Sequence, residues 1–302
     1  MEKILLLGAN GFLGSYLIDT YLKNTPLQEA YSLIGADLEN FNIPNTIPFQ
    51  FMDMTDKNLL NEQLRSISPE IIILTAAMTD VDGCENEKEK ARLINFEGPQ
   101  EIANISKRIG SKLVFLSTDF VFDGIDRQTG YNETDIPNPL SYYAQTKFHA
   151  ELAIMYSEID FLICRTAVLY GWNSNKLNFI TWILNELKQE NEIKITTTQY
   201  NSPTYVKNLA DIIFTLIRHD THGIFHTAGD SILSRYEMVL KCADVFDYNP
   251  NLVIPIKDFK QKARRPEFAG LDISKLRAEL SDEITISSLE DGLIDMKQQK
   301  VK

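Results

Sequence analysis

The chain has 302 residues, 44% of them hydrophobic and 24% charged, with a formal net charge of -12. That length and apolar content support a large buried core without disulfides or metals and argue against disorder. The acidic balance argues against nucleic acid as a partner, but it leaves a phosphate-bearing small molecule open, because backbone N–H groups bind phosphate locally.

Dividing by about 150 residues per domain predicts two domains, or one large α/β unit with a smaller lobe. Ile4-Leu5-Leu6-Leu7 reads as a buried strand, and Phe12 to Lys23 has helical spacing. Strands are predicted at Tyr31 to Ala36 and Ile47 to Phe51, a helix over Leu59 to Ile67, and a fourth strand at Ile71 to Leu74. Glu85 to Arg108 reads as one long helix, Leu113 to Leu116 as a fifth strand, Tyr143 to Tyr156 as a helix and Phe161 to Cys164 as a strand. Continuous apolar strands alternating with helices predict a Rossmann-like doubly wound α/β fold, its parallel sheet covered on both faces. After Gly171 the pattern is less regular. Helices are expected at Leu177–Lys188, Val206–Arg218 and Arg235–Phe246, short strands at Ile193–Ile195 and Gly223–His226, and a frayed tail from Gln298 to Lys302. Residues 1–171 are thus expected to form one domain. Residues 172–302 are expected to form a smaller mixed lobe over the carboxyl edge of the sheet, with the chain free to cross back.

Cys84, Cys164 and Cys242 are far apart and make neither a disulfide framework nor a zinc site. His149, His219, His222 and His226 show no metal-ligand pattern, so no metal is expected. Met1-Glu2-Lys3 runs directly into a strand, and no apolar run approaches the ~20 residues that span a bilayer. The expected location is the cytoplasm, with no membrane partner; a homodimer is left open.

The first strand ends in Gly8-Ala9-Asn10-Gly11-Phe12-Leu13-Gly14, a G-x-x-G-x-x-G turn between strand and helix. Such a turn lets backbone N–H groups approach a pyrophosphate at the helix N-terminus. Asp37 ends the second strand about 20 residues past the last glycine, where a carboxylate binds an adenosine ribose. It also repels a 2′-phosphate, and Leu38, Glu39 and Asn40 bring no arginine. NAD(H) is therefore preferred, with NADP(H) possible. Asp53 and Met54 end the third strand and are candidates for the adenine side; Asp53 is equally a candidate helix N-terminal acid.

Ser117-Thr118-Asp119 ends the fifth strand, where ligands sit in doubly wound sheets. Tyr143 and Lys147 follow at i and i+4, on one face of a helix. A neighbouring ammonium lowers a tyrosine pKa, so Tyr143 is the candidate proton donor to a carbonyl, Thr118 its orienting hydroxyl, and Lys147 the tuning cation. Tyr142 is the rival donor, but i to i+5 points it away from Lys147. Alone, Y-x-x-x-K also describes an amphipathic surface helix. After a dinucleotide turn and a Ser-Thr strand end, it is specific.

The segments GANGFLG, STD and YAQTK resemble the extended short-chain dehydrogenase/reductase superfamily over nearly the whole chain. Ala76-Ala77-Met78-Thr79-Asp80-Val81-Asp82, Ser117 to Gly124, Tyr131 to Asp135, Gln199 to Thr204 and Ala263-Arg264-Arg265-Pro266 bring it closer to the dTDP-4-dehydrorhamnose reductase family. The resemblance implies reduction of a 4-keto nucleotide sugar by Thr118, Tyr143 and Lys147. It implies that Ala76, Ala77 and Thr79 line the nicotinamide side and that Asn95 supports the site. On the substrate side it implies Asp119, Phe120 and Asn201, and it favours a pyrophosphate clamp by at least one of Arg264 and Arg265 over a solvated basic pair. Sugar-nucleotide 4,6-dehydratases carry an Asp-Glu pair after the threonine; here Asp119 is followed by Phe120, which disfavours dehydration. An NAD-dependent epimerase stays open, as does a non-catalytic subunit resembling the β subunit of methionine adenosyltransferase. Three departures stand out: Phe12 where glutamine is usual, Val168 near the place of a tryptophan, and Asn201 in place of a glycine, a mild change because asparagine tolerates φ > 0.

Overall fold

The computed structural model describes residues 1–125, 129–173, 176–257 and 261–300. The first half runs β1 (Glu2–Leu7), α1 (Phe12–Lys23), α2 (Thr25–Ala30), β2 (Tyr31–Asp37), β3 (Phe49–Phe51), α3 (Lys57–Ile67) and β4 (Ile71–Leu74). It continues through α4 (Val81–Asn86), α5 (Lys88–Arg92), a π-helical turn (Leu93–Glu97), α6 (Gly98–Ile109), β5 (Lys112–Thr118), α7 (Tyr142–Met155) and β6 (Phe161–Thr166). Beyond these lie β7 (Leu169–Tyr170), α8 (Phe179–Lys188), β8 (Ile193–Thr196), β9 (Tyr200–Asn201), β10 (Thr204–Tyr205), α9 (Val206–Arg218) and β11 (Gly223–His226). The chain ends with β12 (Leu233–Ser234), α10 (Arg235–Val245), β13 (Val253–Ile256), α11 (Ser274–Leu280) and α12 (Leu289–Lys300).

The main sheet has seven strands in the order β11-β6-β5-β4-β1-β2-β3, every pair parallel. The order reverses between β1 and β4, which opens a crevice at the carboxyl ends of those strands. Successive side chains of a strand face opposite ways, and β1 shows it. Ile4 and Leu6 join one apolar layer with Leu17, Leu209 and Ile213; Leu5 and Leu7 join the other with Leu60, Ile102 and Ile154. A third cluster around Ile183, Met238 and Leu293 is the core of the lobe built by α8, α10 and α12.

After Gly171 the chain does cross back: α9 packs on α1, and β11 pairs with β6 through Gly223↔Leu162 to His226↔Arg165. The single helix expected over Glu85 to Arg108 is broken. Asp80 caps α4 through the Gly83 amide, Glu87 leaves helical geometry, and the π turn precedes Gly98-Pro99 at the start of α6. Proline lacks the N–H needed inside a helix, which fits its place in a first turn. The frayed tail is also corrected: Gln298 and Gln299 lie in α12, and the Gln299 amide donates to Tyr205 Oη at 2.9 Å. Residues 301–302 lie outside the described residues.

Candidate active site

The crevice widens into a cleft of about 1140 Å³. Gly8, Gly11, Phe12 and Leu13 form one wall, with Asp37, Asp53 and Met54 beyond them; Ala76, Ala77 and Thr79 form the next, and Thr118, Asp119, Phe120, Tyr143 and Lys147 the far side. Gly8 has φ +89°, and a Cβ there would lie 2.6 Å from the Ala76 nitrogen and from Thr75 Oγ1. Gly14 lies outside the lining; its missing Cβ lets α1 rest on the Gly8 carbonyl. Gly11, the N-cap of α1, brings no side-chain cap, so the first N–H groups of the helix stay available.

Asp37 accepts from the Asn10 amide at 3.0 Å and the Leu38 amide at 2.8 Å. The Asn10 side chain does not line the cleft. It donates to the Glu39 carbonyl and accepts from the Phe41 and Asn42 amides, pinning the loop after Asp37. Asp53 Oδ1 holds Thr55 through its amide and hydroxyl at 2.8 and 2.7 Å. The acid that caps the following helix is Asp56, three residues further on.

Asn95 is buried in the π turn. It accepts from the Met78 amide at 2.8 Å and donates to the Met78 carbonyl at 3.0 Å, fixing the Ala76–Thr79 wall from behind. An ordinary helical turn would aim it elsewhere; such bulges recur at functional sites.

Thr118 Oγ1 donates to Asp119 Oδ1 at 3.1 Å and accepts from the Phe120 amide at 3.2 Å. Asn201 donates to the other carboxylate oxygen at 2.7 Å. Burial pushes Asp119 up to about 6 against those two hydrogen bonds. Tyr143 lines the cleft, its ring edge-on to Phe120 at 6.5 Å, whereas Tyr142 lies outside the lining with its amide on Glu85. Burial, then the Asp119 charge, raise the Tyr143 phenol well above its ordinary value; a Thr118 hydrogen bond opposes them. Burial lowers Lys147 to about 7, opposed by Glu151 one turn along α7, and its Nζ sits 3.9 Å over the Phe115 ring. Burial dominates both groups and outweighs the lowering of Tyr143 expected from Lys147.

Arg264 is exposed, and neither it nor Arg265 lines the cleft. Arg265 is held by Asp82 at 2.9 Å and by the Ala263 carbonyl at 3.1 Å. Asn201 is an ordinary strand residue without positive φ, so the glycine argument does not apply to it. Positive φ falls instead on Val168, at +43°, in the cleft lining; this is a costly conformation for a β-branched residue. Thr75, Thr166, Phe179 and Arg235 also line the cleft, and no motif in the sequence marks them. Ser117 Oγ and Thr166 Oγ1 are buried on β5 and β6 beside it, without a partner among the described residues. Orphaned buried hydroxyls, the cradle at Gly8 and an uncapped helix start fit a polar phosphate-bearing dinucleotide.

A glycine cradle at the strand crossover, facing a buried tyrosine and lysine one helical turn apart, defines the extended short-chain dehydrogenase/reductase class. The model of the RmlD substrate binding domain matches residues 1–298. The chain belongs to that family. It superposes on the dTDP-4-dehydrorhamnose reductase of Bacillus anthracis str. Ames, solved in complex with NADP, with a TM-score of 0.86 and 31% identity over 99% of both chains. It is 31% identical over 272 residues to the spore coat polysaccharide biosynthesis protein SpsK of Bacillus subtilis (strain 168), covering 90% of this chain and 89% of that one. It is 28% identical to methionine adenosyltransferase 2 subunit beta of Bos taurus, over 91% of this chain and 81% of that one. No helix among the described residues is long and apolar enough to cross a membrane.

Proposed function

We propose that the chain is an NAD(P)H-dependent reductase of a 4-keto nucleotide sugar, with dTDP-4-dehydrorhamnose as substrate. The observation that carries this reading is that Thr118 and Tyr143 open on the same cleft as Gly8, Gly11 and Asp37. The likeness to the Bacillus anthracis reductase supports it. Gly8, Gly11 and Asp37 would hold a reduced nicotinamide dinucleotide, which when bound would supply the hydride for the keto carbon. Tyr143, kept neutral by burial, donates its phenolic proton to the keto oxygen. Thr118, held in place by the Phe120 amide, turns its hydroxyl proton from Asp119 to the keto oxygen and so orients it. Lys147 binds the nicotinamide ribose hydroxyls, and its charge stabilises the phenolate that the proton transfer leaves. Hydride and proton together convert ketone to alcohol and nothing leaves. Phe120 stands where a dehydrating site needs a second acid.

Asp37 accepts ribose hydroxyls and disfavours a 2′-phosphate, so NADH is the preferred cofactor and NADPH the second. Residues 172–302 select the sugar, and a cytoplasmic location belongs to the same reading. The likeness to the methionine adenosyltransferase subunit favours one second reading, a cofactor-binding regulatory subunit. A panel of 4-keto nucleotide sugars, followed by NADH and NADPH oxidation, separates these. Net oxidation with a dTDP-linked keto sugar is expected. Sugar interconversion with no net oxidation would indicate an epimerase. No turnover, with a synthetase co-purifying, would indicate the regulatory subunit.

A further inference from the structure

Among the described residues four cations line the cleft. Lys147 belongs to the tyrosine pair; Lys90 bonds Glu87 at 3.3 Å; Lys176 is exposed at the rim. Arg235 is different. It is the first residue of α10, part-buried, with its guanidinium stacked on the Phe179 ring at 4.5 Å. Its backbone amide bonds Gln199, but among the described residues its guanidinium makes no hydrogen bond or ion pair. Asp119 feels its charge only at longer range. Its donors face the cleft rather than a partner in the chain, and a guanidinium offers five of them in a fixed fork. In a chain at -12, an unpaired arginine facing a cleft is a seat for an anion from outside the chain. The Phe179 ring supports the guanidinium from one side, and the planar fork of a guanidinium matches pairs of phosphate oxygens.

We propose that Arg235 is the anion anchor of the cleft and clamps the diphosphate of the nucleotide-linked substrate. Its lobe-borne position on α10 is separate from the Gly8–Gly14 turn, so one cleft holds two phosphate sites: backbone N–H groups for the cofactor and one guanidinium for the substrate. This takes over the role expected of Arg264 and Arg265, of which Arg265 is already engaged by Asp82. The inference rests on the reading of the site as a nucleotide-sugar reductase.

The test is calorimetric binding of thymidine diphosphate to the full chain preloaded with nicotinamide cofactor, so that the cofactor's own phosphate site is filled. Arg235→Gln is expected to weaken binding about 10- to 100-fold, the range for losing charge-assisted hydrogen bonds. Cofactor affinity should stay within about twofold, which reports an intact fold. Arg235→Lys keeps the charge without the fork and is expected to fall between. Wild-type affinity in Arg235→Gln overturns the inference, as does wild-type protein that binds no thymidine diphosphate. Wild-type affinity in Arg235→Lys overturns the bidentate clamp. The reductase reading is decided apart from this, by oxidation of NADH with keto sugars. If Arg235→Gln loses the diphosphate while the wild type reduces no sugar, the anchor stands and that reading falls.

Discussion

Replacing Glu151 with Gln removes one charge from inside the helix–sheet interface at nearly constant shape. Glu151 is 0% and Arg165 2% exposed, and the guanidinium grips the carboxylate through Nε at 3.0 Å and Nη2 at 2.7 Å. Arg165 Nη1 already lacks a partner among the described residues. Stripping a buried guanidinium of its counter-ion costs about 3–5 kcal/mol. Glutamine keeps one acceptor, so the lower figure, about 3 kcal/mol, is expected. At about 2 °C per kcal/mol for a chain of this size, the thermal midpoint falls by about 6 °C. The same carboxylate is what opposes burial at Lys147. Without it Lys147 drops below about 7, and the alkaline fall of activity that follows its deprotonation moves to lower pH. Urea titration and the pH dependence of NADH oxidation read the two effects separately. The double variant Glu151→Leu/Arg165→Met exchanges the whole pair for apolar volume. It should recover most of the stability but keep the displaced pH profile. A Glu151→Gln protein with wild-type midpoint and profile would refute both halves of the reasoning.

Tyr143→Phe should lower turnover about 10²–10⁴-fold while leaving cofactor binding, followed by fluorescence, unchanged; near-normal turnover would remove Tyr143 as proton donor. Asp37→Ser takes away the carboxylate that repels a 2′-phosphate, so the NADPH-to-NADH ratio of kcat/KM should rise at least about tenfold; a constant ratio would place cofactor choice elsewhere. Lys147 sits at about 7 in the folded chain against an ordinary 10.5. Between those values the unfolded chain binds the extra proton, so stability rises with pH across that window. Above about 9 the buried thiols of Cys84 and Cys164, raised to about 11 and about 12, oppose it. Unfolding midpoints should therefore climb from pH 7 to 9 in the wild type, and the climb should be smaller in Lys147→Met; equal slopes would show that Lys147 is not the source.

What is legible in the residues is whatever is local. The parallel strands declare themselves because both faces are buried, as in Ile71 to Leu74, and the glycine turn because Gly8 and Gly14 admit no side chain. The Ser234–Glu237 capping box likewise marks the start of α10. Nothing local says that this start faces the cleft, so Arg235 gives no signal in the sequence, while the paired Arg264 and Arg265 draw attention to a segment outside the cleft lining. The break in the Glu85–Arg108 segment is hidden for a related reason: its apolar spacing is helical throughout, and the π turn becomes visible only through what Asn95 reaches. Beyond Phe246 the elements β13, α11 and α12 are short or weakly amphipathic; α11 is held in the main-sheet core and β13 and α12 in the lobe core, by contacts distant in sequence.

The return of β11 to the edge of β6 bears on how the protein is made. When translation has delivered Gly171, every strand of the main sheet but β11 exists, yet the outer backbone edge of Phe161–Thr166 has no neighbour until Gly223–His226 emerges. A nascent chain in that interval carries an open apolar strand edge, the feature that invites pairing between molecules. A gene cut at Gly171 would freeze that interval permanently and yield an aggregating fragment, because the two parts share one sheet and are finished together by the ribosome.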